Sequence, residues 1–289
     1  MIKTPPLLSH ISARLAPISD SPALDASVLL AHIVGKPRTW VMAHPESTLT
    51  SEQQSKLDES LTRLESGESF PYVIGHWEFF GLDFDITPDV LIPRPETELL
   101  VEKAIVFMQN NPEKRNIADI GTGSGAIAVA LAVNLSNANI LATDISPKAL
   151  DVAKRNAEKH NVQSKIEFID CTLLPESKVK DPRSDLQPST FDLICANLPY
   201  IPTDTLHILP IYTREPSLAL DGGEDGLHLI RRLMDLAPRH LAPNALLLLE
   251  IEATRGAQAI DLAKEYFPEA GITLHQDLTR RDRLLEIQA

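Results

Sequence analysis

The sequence predicts a parallel α/β sheet covered by helices on both faces, preceded by a small all-α domain and a β-hairpin. Three observations predict it. Short apolar runs alternate with amphipathic stretches from Asn116 onward, which is the texture of a parallel sheet with crossover helices. A glycine-rich turn, residues 119–126, lies between the first such run and the first such stretch. Over residues 7–68 apolar side chains recur three and four apart, as in Leu24, Val28, Leu29 and Ala31, or Leu57, Leu61 and Leu64.

The helical region is cut by Pro17, Pro22, Gly35-Lys36-Pro37 and Pro45, so it reads as several short helices. Asp20 or Ser21 ahead of Pro22 suits a helix start, as does Thr50 with Ser51 ahead of Glu52 and Gln53. Between residues 70 and 92 the chain turns aromatic and β-branched in near alternation, punctuated by Gly75 and Gly81, which predicts a hairpin linking two domains. Pro93-Arg94-Pro95-Glu96-Thr97-Glu98 then opens a helix, with carboxylates in its first turn to suit the helix dipole. The domains are accordingly 1–69, 70–92 and 93–289. Strands are expected at 117–120, 140–143, 166–169, 191–196, 246–251, 272–275 and 283–287, and helices at 126–135, 147–160, 227–240 and 255–266. Residues 172–190, rich in Pro, Ser, Asp and Lys, read as a solvated loop.

A chain of 289 residues with 43% apolar side chains builds a real core, and two cysteines cannot frame a disulfide-stapled fold of this length. Neither Cys171 and Cys195 nor the nine histidines show a metal-ligand spacing, so no metal is expected. No window has the apolar length of a membrane helix, and prolines stand where a signal peptide needs its apolar stretch; a cytoplasmic location is expected. Twenty-seven basic against 40 acidic side chains leave a net charge of −13. Residues 1–85 carry 6 basic and 11 acidic, residues 86–289 carry 21 and 29, so neither part is a basic platform and nucleic acid is a disfavoured partner.

The turn Asp119-Ile120-Gly121-Thr122-Gly123-Ser124-Gly125 would let backbone N–H groups approach a ligand at a helix N-terminus. Asp144 ends the next strand, where a carboxylate can accept both hydroxyls of a ribose. Together they indicate an adenosine cofactor. Gly121, Gly123 and Ala126 also satisfy the dinucleotide pattern, but a carboxylate at Asp119 suits the free ammonium group of S-adenosylmethionine and is badly placed beside a pyrophosphate. The fourth strand stops in Asn197-Leu198-Pro199-Tyr200. That arrangement suits methyl transfer to a planar nitrogen, whose lone pair is delocalised: the Asn197 side-chain oxygen and the Leu198 carbonyl each accept one N–H, and Tyr200 stacks on the flat group. No separate base is needed, because the nitrogen becomes far more acidic once alkylated.

The stretches Leu91-Ile-Pro-Arg-Pro-Glu-Thr-Glu98, Asp119 to Gly125, Asp144-Ile-Ser-Pro-Lys-Ala-Leu150 and Asn197 to Tyr200 resemble the HemK/PrmC protein-glutamine methyltransferases, over nearly the whole chain. The resemblance implies a Class I S-adenosylmethionine-dependent methyltransferase domain, Rossmann-like, with a seven-stranded, mostly parallel sheet whose last strand inserts antiparallel beside its fifth. It implies methylation of the glutamine in the Gly-Gly-Gln motif of peptide chain release factors, S-adenosylhomocysteine as by-product, and an N-terminal domain that docks the partner. Carried over, the cofactor loop falls on Gly121, Thr122, Gly123, Ser124 and Gly125, the ribose carboxylate on Asp144, the adenine side on Asp170 and Cys171, and the amide motif on Asn197, Pro199 and Tyr200. Arg94 and Glu96 match residues near the substrate channel. Two departures stand out: Leu198 replaces the usual proline, and Cys171 stands where an aromatic ring is common. Asn-Leu-Pro-Tyr also occurs in adenine dimethylases of ribosomal RNA, which keeps an adenine-N6 methyltransferase acting on RNA or DNA as the rival reading. A non-catalytic adaptor would have no use for the glycine loop, Asp144 and Asn197 together.

Overall fold

The computed structural model describes residues 4–175 and 190–289 and divides the chain into two compact units, Met1–His76 and Trp77–Ala289. The expected loop over 172–190 lies, but for its ends, outside the described residues.

The first unit is helical: α1 (Thr4–Leu15), α2 (Pro22–Val34), α3 (Arg38–Ala43), α4 (Ser51–Glu65) and α5 (Phe70–Ile74). Leu7, Ile11 and Leu15 form one stripe of α1 and are buried, as are Leu29 and Leu30 of α2 and Leu57, Leu61 and Leu64 of α4. Proline in the first turn starts α2, and Gly35 at φ +69° stops it. Thr50 and Gln53 form a reciprocal capping box on α4, so the helix start legible in the sequence is made by those two side chains. Arg14 forks onto Glu65 at 2.7 and 2.8 Å, tying α1 to α4.

The expected hairpin is shorter than 70–92. Phe70–Ile74 is a helix because Pro71 is pre-set for a first turn and Gly75, at φ +78°, closes it after five residues. The hairpin itself is β1 (His76–Phe79) and β2 (Leu82–Asp85), with Phe80 and Gly81 both at positive φ as a tight two-residue turn requires.

The second unit continues with α6 (Glu98–Asn110), β3 (Asn116–Ile120), α7 (Ala126–Asn134), β4 (Asn139–Asp144), α8 (Pro147–Lys159), β5 (Ile166–Asp170), β6 (Phe191–Ala196), α9 (Thr203–Leu206), α10 (His228–Leu236), β7 (Leu241–Glu250), α11 (Gly256–Tyr266), β8 (Gly271–Gln276) and β9 (Asp282–Gln288). All seven expected strands form, in the order β5-β4-β3-β6-β7-β9-β8. Pairings from β5 to β7 are parallel; β9 inserts antiparallel beside β7, the fifth strand of this sheet. Residues 117–120, 193–196 and 245–249 are buried, the continuous burial of strands covered on both faces. The helix expected over 227–240 stops earlier: Pro238 has no N–H to continue an α-helix, and Ala237–Arg239 tightens into a 3₁₀ turn. Asn156 of α8, fully buried, accepts the Asp85 N–H at 2.7 Å and donates to the Asp85 and Ser124 carbonyls, joining β2 to the glycine turn. Among the described residues no helix is long and apolar enough to cross a membrane, and no cluster of His, Cys, Asp or Glu could hold a metal ion.

Candidate active site

The carboxyl ends of β3, β4, β5 and β6 open onto one cavity of about 390 Å³. The chain reverses from β3 into α7 through Gly121, Gly123 and Gly125, all at positive φ. Two of these glycines serve different ends. A Cβ on Gly125 would lie 3.1 Å from the Ala153 backbone, so Gly125 lets the turn pack on α8; a Cβ on Gly123 would meet no atom within 4 Å, leaving open space over a backbone N–H.

Asp119 braces this turn from below. Its Oδ2 accepts the Thr122 hydroxyl at 2.6 Å and the Ala128 N–H at 3.1 Å, while Oδ1 is buried with no partner among the described residues. Burial raises this carboxyl to about 7. Asp144 lines the cavity, accepting the Gly123 N–H through Oδ2 and the Ser146 N–H through Oδ1, each at 2.9 Å. A carboxylate has about four acceptor positions, so two remain for a diol. Burial, opposed by these N–H groups, holds Asp144 above its ordinary value.

Asn197 enters the cavity from the end of β6 with Leu198 and Pro199. Its Nδ2 donates to the Thr97 hydroxyl at 3.0 Å, and Thr97 donates to Glu250 Oε2 at 2.6 Å. The Tyr200 hydroxyl reaches the other oxygen of Glu250 at 3.4 Å. Thr97 and Glu250 are both buried; burial lifts the Glu250 carboxyl to about 7, and burial beside that carboxyl holds the Tyr200 phenol well above its usual range. Arg94 lines the cavity and pairs with the buried Glu215 at 2.5 Å, whose second oxygen accepts the Ile92 N–H.

The cavity thus collects Gly121, Thr122, Gly123, Ser124, Asp144, Cys171, Asn197, Leu198, Pro199 and Arg94 of the residues expected from the sequence. Asp119, Gly125, Asp170, Tyr200 and Glu96 stand outside its lining. Asp170 is exposed, opposite Asp144 in the pairing of β4 with β5, and Glu96 is exposed at the start of the turn before α6. Sequence reasoning gave no role to Thr97, Glu215 or Glu250. The signal for Glu250 was present: one carboxylate ends the apolar run Ala245 to Leu249 in a strand buried on both faces, where an ionisable side chain needs a partner.

Comparison with known proteins accords with this geometry. Residues 6–75 match the family model of the PrmC N-terminal domain, and residues 99–206 match that of ribosomal protein L11 methyltransferase (PrmA). A release factor glutamine methyltransferase of Moorella thermoacetica is 39% identical over 91% of this chain and 90% of its own; that of Coxiella burnetii is 40% identical over 83% of each. Among solved structures, the human METTL16 catalytic domain in complex with an RNA hairpin from the MAT2A 3′UTR is similar with a TM-score of 0.54, at 16% identity over 82% of this chain and 81% of that one. At that identity the likeness concerns the fold, which is that of a Class I methyltransferase. Alignment over 83–91% of the chain at 39–40% identity settles kinship: this chain belongs to the release factor glutamine methyltransferase family.

Proposed function

We propose that the chain transfers a methyl group from S-adenosylmethionine to the side-chain amide nitrogen of the glutamine in the Gly-Gly-Gln motif of peptide chain release factors, in the cytoplasm. The observation that carries this reading is that Asn197 shares one cavity with the glycine turn and Asp144. The residues fit the cofactor: open space at Gly123, spare acceptor positions on Asp144, and apolar walls from Val90, Leu91, Ile145 and Leu198 for an adenosine. When bound, S-adenosylmethionine supplies an electrophilic methyl on sulfur.

The chain's own residues do the rest. Asp144 holds the ribose, with Cys171 at the adenine side. Asn197 Oδ1 and the Leu198 carbonyl accept the two N–H groups of the target amide, fixing the nitrogen and polarising it so that its lone pair is directed out of the amide plane. Pro199 stiffens the turn that presents that carbonyl. Tyr200, whose hydroxyl is engaged by Glu250 and whose ring is outside the cavity lining, takes the task of holding Glu250 in place of the stacking expected from the sequence. The proton released after alkylation leaves to water. Arg94, anchored on Glu215, stands at the rim toward the substrate. The helices of the first unit dock the release factor.

The test incubates the protein with methyl-labelled S-adenosylmethionine and either a release factor or ribosomal RNA and locates the label by mass spectrometry. Label on the glutamine of Gly-Gly-Gln is expected; label on adenine would instead establish the rival reading. Asn197→Ala should reduce protein methylation roughly 10²–10³-fold, as loss of one polarising contact does, with calorimetric affinity for S-adenosylhomocysteine changed less than about threefold. Equal loss of both would give Asn197 a structural role.

A further inference from the structure

We propose that Thr97 and Glu250 are positioning residues, a two-step hydrogen-bond relay that determines which end of the Asn197 amide faces the cavity. The inference rests on the reading of Asn197 given above and adds the device that makes it an acceptor.

An asparagine amide has a donating and an accepting end of nearly equal size, so packing alone does not choose between them. Here the choice is made by counting protons. Thr97 owns one hydroxyl proton and gives it to Glu250 Oε2 at 2.6 Å, both side chains being buried. Its oxygen can then only accept, and the group it meets at 3.0 Å must be a donor, Asn197 Nδ2. The amide carbonyl is left for the cavity, where Oδ1 has no partner among the described residues. Both N–H groups of a target carboxamide need acceptors, so this is the end that productive binding demands.

The relay is directional because Glu250 is ionised. Were Oε2 to take up a proton it would donate to Thr97, Thr97 would donate toward Asn197, and the amide would present its NH₂ group to another NH₂ group. The groups that bear on Glu250 come from three neighbouring segments: Arg283 of β9, which favours the charged form; Glu96 ahead of α6, which opposes it; and Tyr200 after β6, which hydrogen-bonds to it. Burial outweighs them and places the carboxyl near 7, so the fraction carrying the correct orientation rises as pH rises through that value. No Asn197 rearrangement is needed for cofactor binding, which draws on the glycine turn and Asp144.

Steady-state methylation of full-length release factor by the full chain tests this with two pairs of variants. Thr97→Val keeps the shape and removes the hydroxyl; it should lower kcat roughly 100-fold, the scale of a misplaced reacting group, with KM for the release factor and affinity for S-adenosylhomocysteine changed less than about threefold. Thr97→Ser restores the hydroxyl and should recover most of the loss. Glu250→Gln keeps a neutral acceptor for Thr97 but cannot titrate, so its kcat profile should lack the acid limb of the native protein, whereas Glu250→Leu should be as impaired as Thr97→Val. A Thr97→Val protein with native kcat, a Thr97→Ser protein as poor as Thr97→Val, or a Glu250→Gln profile matching the native one would each overturn the relay. The Asn197→Ala protein separates the two levels. If it is impaired while Thr97→Val is native, only the relay fails; if it is native, the acceptor role of Asn197 fails and the relay with it.

Discussion

Asp119 of β3 and Glu250 of β7 are two carboxyls enclosed in the sheet on either side of β6, each lifted by burial to about 7. A carboxyl whose folded value exceeds its unfolded one contributes stability that is complete below the unfolded value and is lost as pH rises through the folded one. Stability measured by urea denaturation should therefore fall between about pH 4 and 7 on account of these two groups, at about 1.4 kcal/mol per pKa unit for each. Asp119→Asn, which keeps an acceptor for Thr122 and Ala128, should flatten part of that slope; an unchanged slope would remove Asp119 as its source. Asp144 belongs to the other class, lining the cavity with acceptor positions to spare. Asp144→Ala should weaken S-adenosylhomocysteine binding by about 1–3 kcal/mol, the scale of one or two hydrogen bonds, by calorimetry. At this scale the sequence was legible in position, since Asp144 and Asn197, each picked out at a strand end, both line the cavity. It was illegible for Thr97 and Glu250, separated by 153 positions and joined by one hydrogen bond, because no local pattern records which side chains the sheet brings together.

The element that organises the site is the turn between β3 and α7. Gly123 and Gly125 share the left-handed conformation yet predict opposite phenotypes. Gly125→Ala should destabilise the protein by roughly 1–2 kcal/mol from the positive φ, with more from contact with the Ala153 backbone, seen as a lowered Tm. Gly123→Ala carries similar strain but no clash, and it puts a methyl group into the open space proposed for the cofactor; its larger effect should appear in S-adenosylhomocysteine affinity. Elements with strong periodicity or an all-apolar run were read correctly from the sequence, including all seven strands of the large sheet. The misreading was α5, where the aromatic run Phe70-Pro-Tyr-Val-Ile has strand-like composition. Pro71 and Gly75 set a single helical turn there, and five residues are too few for hydrophobic spacing to distinguish one from the other.

At the scale of the whole molecule, the sheet, the glycine turn, Asp144, Asn197, Thr97 and Glu250 all belong to residues 77–289, as do the residues that line the cavity. Removing residues 1–76 should therefore leave S-adenosylhomocysteine binding intact and abolish methylation of the release factor; full protein methylation by the truncated form would reject docking through those helices. The net charge of −13 has a parallel consequence, that activity on the release factor should not show the steep salt dependence of a phosphate-backbone binder.

The place of β9 has a further consequence for how the second unit assembles. It lies between β7 and β8, both of which precede it in the chain, so each must wait with an unsatisfied row of N–H and C=O groups until a later segment slides in between. The interval before that insertion is when the Leu246 to Leu249 row is open to the wrong neighbour, including the same row of another nascent copy. Refolding yield should accordingly drop as protein concentration rises, and a soluble peptide copy of residues 282–288 should protect the unfinished sheet.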